Sequence, residues 1–124
     1  MANFWIRDLE LKKAAMIVLL FSVLLNAGGQ VFFKLERSSC PDCNLLSILS
    51  HLNTWVGFIL YGLSALCWLW VLSRAQLSFA YPLLSLSFPI VVVLSEIFFA
   101  EVISPMRWVG VCLIVIGVSL ISRT

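Results

Sequence analysis

Asn26, Gln30 and Lys34 recur at intervals of four, so on a helix they form one polar stripe, with Ser22 one turn before them. Two amides and an ammonium in a row offer hydrogen bonds and one positive charge to a polar group. They equally serve as inter-helix hydrogen bonds, with Lys34 stretching its charged tip to an aqueous boundary. A second constellation lies in the stretch from Gln76 to Glu101, where Pro82, Pro89 and Glu96 are spaced by seven and Ser78 and Ser85 share their helical face. Each proline lacks an amide donor and frees the carbonyl four residues earlier, at Ser78 and Ser85. Two readings stay open. One is a bent helix lining a polar cavity that includes Glu96. The other is a kinked packing helix whose serines bond to their own backbone. The third chemistry-bearing motif is Cys40-Pro41-Asp42-Cys43. A redox pair of this spacing belongs with a thioredoxin-like pattern, which is missing. A zinc site needs two more ligands, and only His51 is near, so no metal is expected. A small loop disulfide remains, or two idle thiols if the loop faces a reducing space.

The elements that carry these residues are membrane spans. Of 124 residues, 62% are hydrophobic and 11% charged, against about 25% charged in an average soluble domain; the mean hydropathy is +1.08. Each helical crossing takes about 20 apolar residues, so the length allows four spans, at about 14–36, 55–73, 77–99 and 106–121, and no soluble domain beside them. The expected fold is an all-α, four-helix membrane bundle forming a single domain over 1–124. Residues 1–13 read as an interfacial lead-in with Trp5 at headgroup level, not as a cleaved secretory signal. A net charge of +2 is too small to argue for nucleic acid. One histidine, in a loop, and no nucleophile–base pattern argue against an enzyme, and no cofactor is implied.

Within this frame the glycines and charges take positions. Gly28 and Gly29 permit close helix approach in a bilayer. Gly57, Tyr61, Ser64 and Trp68 share one face of the second span, which either packs or lines the same cavity as the stripe. Gly110 and Gly117, seven apart on the fourth span, form a smooth stripe that marks the main dimer contact. Arg7, Lys12, Lys13, Arg74 and Arg123 fall on the side of the termini; Lys34, Arg37 and Arg107 fall on the other. The bias of five against three favours cytoplasmic termini and leaves dual insertion open. Depth arithmetic places Lys34 about 33 Å beyond Lys12 and Glu96 about 29 Å beyond Leu77 at 1.5 Å per residue, both in the last turns of spans that end on one side. Lys34 is therefore expected within salt-bridge or single-water reach of Glu96 or Glu101, as a pair able to hold a gate closed.

Three segments carry a resemblance. Gly110 to Val118, GVCLIVIGV, resembles the dimer motif of the small multidrug resistance proteins, a branch of the drug/metabolite transporter (EamA-type) superfamily. Ala80 to Phe88, AYPLLSLSF, with Glu101, Ser104, Pro105 and Trp108 after it, looks more like the subunits that flip aminoarabinose-phosphoundecaprenol. Gly29 to Lys34, GQVFFK, is similar to the G-Q-x-x-x-K of those subunits. The resemblance spans essentially the whole chain. It implies a transporter of the bacterial inner membrane, a flippase for a polyisoprenyl-phosphate-linked sugar, acting as a homodimer or beside a sister four-span subunit. Lys34 would take the phosphate charge, and Asn26, Gln30, Tyr81 and Ser85 would hydrogen-bond sugar or phosphate, with Glu96 in the same lining. The drug exporters carry a membrane-embedded glutamate at the position of Asn26. An amide neither shuttles a proton nor pairs with a cation, so export of cationic drugs is the weaker expectation. A subunit that merely tethers a glycosyltransferase is the third.

Overall fold

The computed structural model describes residues 2–124, apart from the side chains at positions 2, 4 and 5; the headgroup-level placement expected for Trp5 lies outside the described residues. Six helices are described: α1 (Ala2–Ser39), α2 (Leu45–Ile48), α3 (Leu52–Leu72), α4 (Leu77–Leu84), α5 (Ser87–Phe99) and α6 (Pro105–Ser122). Four stretches are long and apolar enough to cross a bilayer: Ile6–Ser39, Leu52–Leu72, Leu77–Phe99 and Pro105–Ser122. The third of these is α4 and α5 together. The fold is thus all-α with four spans, among the described residues without strands, and the protein is a multi-pass membrane protein. Helix α1 begins at Ala2, so the charged lead-in is continuous with the first span.

The interface of α1 with α3 is the most extensive in the bundle, and small residues make it possible. A Cβ added at Gly29 would stand 3.1 Å from the Gly57 carbonyl oxygen, and one added at Gly57 would stand 2.7 Å from the Phe33 ring. Without a hydrophobic drive between helices in lipid, such close backbone approach and buried hydrogen bonds supply the contact. Ser22 and Ser64 provide the bonds. The Ser22 hydroxyl donates to the Ser64 carbonyl at 3.0 Å, and the Ser64 hydroxyl donates to the Ser22 carbonyl at 2.9 Å. Gly57 and Ser64 therefore belong to helix packing, and Ser22 does not extend the polar stripe into a cavity. The buried core continues through Leu19, Val23, Val71, Ala80, Leu83 and Val118. Apolar side chains pointing outward, such as Ile17, Phe21 and Leu113, face where lipid would lie.

The third span breaks at Ser85 and Leu86, as two prolines seven apart dictate. The Ser85 carbonyl, deprived of the Pro89 amide, accepts the Phe88 amide at 3.0 Å instead. The Ser85 hydroxyl turns back to the Pro82 carbonyl and the Ser95 hydroxyl to the Val92 carbonyl. This is the self-bonded arrangement of serines. At the far end of α5, Ala100 adopts a left-handed conformation (φ 49°, ψ 35°), its amide bonding the Ser95 carbonyl. That residue stops the helix and turns Glu101 away from the α5 axis. Ser104 then caps α6, its hydroxyl accepting from the Arg107 amide at 3.4 Å, with Pro105 at the first helical position.

Candidate functional site

A pocket of about 310 Å³ opens between the last turns of α1, the second half of α5 and the start of α6. Its polar lining is Gln30 and Lys34 from α1, Ser95 from α5, Glu101 from the turn and Arg107 from α6. Val31, Val91, Val92 and Phe99 make apolar walls. The Lys34 Nζ lies 3.3 Å from Glu101 Oε1 and 5.9 Å from the centre of the Phe99 ring. The ring offers the cation its electron-rich face, and the carboxylate its counter-charge. Neither charge is sealed in: the side chains are 55% and 36% exposed. The lysine is held, yet open to competition by another anion.

The expected pair thus forms with Glu101, the second of its two candidate acids. Glu96 is a correction. It is exposed, lies outside the pocket lining, and makes no ion pair among the described residues. The face of α5 that meets α1 carries Val91, Val92, Ser95 and Phe99, and the next position after Ser95 is rotated about 100° from it on a helix of 3.6 residues per turn. The spacing of seven from Pro82 to Glu96 assumed one unbroken helix, and the break at Ser85–Leu86 ends that register. The one-face cavity of Ser78, Pro82, Ser85, Pro89 and Glu96 is therefore not formed.

Tyr81 and Ser85 are also displaced from the site. Tyr81 is exposed near the start of the third span, edge-on to Trp68 at 6.2 Å between ring centres. Roughly 27 Å of helix at 1.5 Å per residue separates it from Phe99, so it stands near the opposite membrane face. Ser85 is half-buried with its hydroxyl returned to Pro82. Asn26 is half-buried one turn before Gln30 and does not line the pocket. Of the proposed lining, the structure gathers Gln30 and Lys34 with Glu101. Gly110 and Gly117 lie on an open face of α6, with nothing within 4 Å of a Cβ built at either.

Two features went unanticipated. Arg107 joins the pocket because the Ser104 cap starts α6 beside it. Glu36, only 3% exposed, faces away from the pocket and meets His51 Nδ1 at 2.9 Å. His51 arrives there through a strap that begins with the Cys40–Cys43 disulfide and runs along α2. The strap is tied down by Arg37 donating to the Cys43 carbonyl at 3.1 Å, Thr54 to the Ile48 carbonyl at 2.8 Å and Trp55 to the Leu49 carbonyl at 2.8 Å. Of the two readings left open for the loop, a disulfide or two idle thiols, the structure has the Cys40–Cys43 disulfide. Its loop contributes no residue to the pocket lining.

Comparison with known proteins agrees with this architecture. Residues 13–123 match the EamA-like transporter family. A protein of Pseudomonas savastanoi pv. phaseolicola named a probable 4-amino-4-deoxy-L-arabinose-phosphoundecaprenol flippase subunit ArnE is 32% identical, over 86% of this chain and 96% of the relative. The ArnE subunit so named from Pseudomonas aeruginosa is 37% identical over 86% and 96%. A probable subunit ArnF of the same flippase, from Proteus mirabilis, is 35% identical over 82% and 86%. No solved structure matches the chain.

Proposed function

The chain belongs to the EamA-like transporter family, and from that premise we propose that it is a flippase subunit for a polyisoprenyl-phosphate-linked sugar. The observation that carries the proposal is the Lys34–Glu101 contact of 3.3 Å in an open, partly polar pocket. A phosphate bearing a lipid tail is an anion that must leave the headgroup layer while its tail stays in hydrocarbon. Lys34 supplies the compensating charge, and Glu101 holds that charge in place until phosphate competes for it. Gln30, one turn before, supplies an amide for sugar or phosphate oxygens. Phe99 and the valines give the non-reacting faces of the sugar an apolar wall. The relatives named as flippase subunits for an aminoarabinose-linked lipid support this substrate class. Asn26, uncharged, gives a cationic drug no counter-ion.

A single protomer of four spans leaves the pocket open on one side, so the working unit is a dimer, homomeric or with a sister four-span chain. The smooth α6 face of Gly110 and Gly117 is its proposed contact. In this reading the excess of basic residues at the terminus side favours cytoplasmic termini, and the bacterial inner membrane follows from the flippase function proposed. The 124 residues act as one domain.

The test is transport in vesicles containing the purified chain, with and without a sister subunit. A fluorescent polyisoprenyl-phosphate sugar is placed in one leaflet, and a membrane-impermeant quencher reports its appearance in the other. Exchange faster than in protein-free vesicles is expected. Exchange at the protein-free rate in every subunit combination would refute the function.

A further inference from the structure

A second and larger cavity, about 840 Å³, opens at the opposite end of the bundle from Lys34. All four spans contribute to it: the first turns of α1, the end of α3, the start of α4 and the end of α6. Its floor is Leu19 and Val71 of the buried core. Its size falls in the range of roughly 300–1,000 Å³ that small-molecule sites occupy. Three cations surround it, Lys12 of α1, Arg74 of the turn between α3 and α4 and Arg123 just past the end of α6, against the single carboxylate side chain of Asp8. No ion pair within 4.0 Å joins any of the three to an acid among the described residues. Arg74 is steadied by stacking on Trp70, 5.4 Å from the ring centre, which leaves its donors unspent. Gln76 stands just before α4 at the cavity wall without a side-chain cap; its carbonyl accepts the Phe79 and Ala80 amides, and the Leu77 and Ser78 amides are left to add their partial positive charge.

We infer that this cavity is a phosphate-binding site, the place where an anionic head group is first held before it reaches Lys34 on the other side of the membrane. The inference rests on the flippase reading and adds to it a second site. An unneutralised set of cations from separate elements around one cavity attracts a multiply charged anion more strongly than a single charge does. Guanidinium pairs with phosphate oxygens through two parallel donors, and two of the three cations are arginines. The apolar floor stops the head group at the depth of Leu19. Lys12 and Lys34 lie on the same helix, about 33 Å apart at 1.5 Å per residue, so one element presents a cation at each membrane face. A substrate that must be taken up at one face and given up at the other needs such a pair of sites.

The test places a photo-reactive benzoylphenylalanine at Ser78, an exposed residue of the cavity wall, in the full chain reconstituted in phosphorus-free galactolipid bilayers. Undecaprenyl phosphate and undecaprenol are the probes, and inorganic phosphate is the competitor. The phosphate lipid should form the adduct, and undecaprenol should form at least about tenfold less, as expected for loss of charged hydrogen bonds. R123Q, at an exposed residue just past α6, should weaken the adduct; R74Q/R123Q should weaken it by at least about tenfold. K34Q should leave this adduct intact even where it stops flipping, so a failure of this site and a failure of the flippase reading are told apart. Displacement by inorganic phosphate at concentrations comparable to the lipid's would assign the site to free phosphate; resistance to it would assign the site to the lipid head group. Equal labelling by undecaprenol, or a wild-type adduct in both R123Q and R74Q/R123Q, would overturn the inference.

Discussion

Replacing Lys34 and replacing Glu101 should move substrate affinity in opposite directions. At 3.3 Å two unit charges attract by about 5 kcal/mol at an effective dielectric constant near 20 and by about 1.3 kcal/mol in bulk water. The pair is 55% and 36% exposed, so solvent screening brings its net worth down to roughly 0.5–1 kcal/mol. A charge-assisted hydrogen bond from Lys34 to phosphate is worth about 1.5–3 kcal/mol. Lys34→Gln should therefore weaken binding of a polyisoprenyl phosphate about 10- to 150-fold while lowering fold stability by no more than about 1 kcal/mol. Glu101→Gln removes the competitor and should tighten binding about two- to fivefold. The assay is titration of the lipid phosphate into the chain in phosphorus-free nanodiscs, with thermal unfolding in the same preparation as the control. If Glu101→Gln weakens binding as much as Lys34→Gln, the two residues act as a structural clasp or a joint site, and a gate opened by phosphate competition is refuted.

Gly57→Ala should destabilise the α1–α3 contact by about 1–3 kcal/mol, because the new methyl would meet the Phe33 ring at 2.7 Å; adding Phe33→Leu should restore much of the loss in thermal unfolding, and an unshifted single variant would show that the helices adjust freely. Gly110→Leu and Gly117→Leu should leave the protomer folded, since both sites are open, but should reduce cross-linked dimer; dimers unchanged in both variants would move the contact elsewhere. Cys40→Ser with Cys43→Ser should keep transport within about twofold of wild type, as a bridge across so short a loop restrains little chain entropy; a folded but inactive double variant would make the strap part of the mechanism.

The four spans are legible because lipid demands about 20 apolar residues per crossing and the chain has few charges to spare. The break in the third span is legible because two prolines remove two amide donors at known positions. The partner of Lys34 was narrowed to two acids by depth alone. The choice between them depends on Ala100, whose left-handed backbone brings Glu101 back toward α1, and nothing in an alanine announces φ > 0. Glu96 was placed wrongly because a spacing of seven says nothing about a face once the helix has broken. Tyr81 fails on a simpler count, since its place near the start of the third span puts it by the membrane face opposite Lys34. Glu36 and His51 are beyond reach from local pattern, as fourteen residues separate them and only the folded loop reveals the pairing.

At the centre of the proposed mechanism, substrate phosphate takes the Lys34 ammonium from Glu101. A solid-state NMR distance measurement between the ¹⁵N-labelled Lys34 Nζ and ³¹P of bound undecaprenyl phosphate tests it most directly. Galactolipid bilayers, which contain no phosphorus, exclude contact with host lipid. A nitrogen–phosphorus distance of roughly 4 Å, the reach of one charge-assisted hydrogen bond to a phosphate oxygen, is the predicted result. Bound lipid phosphate with no measurable coupling to Lys34, and a Lys34–Glu101 pair unchanged by its presence, would contradict it.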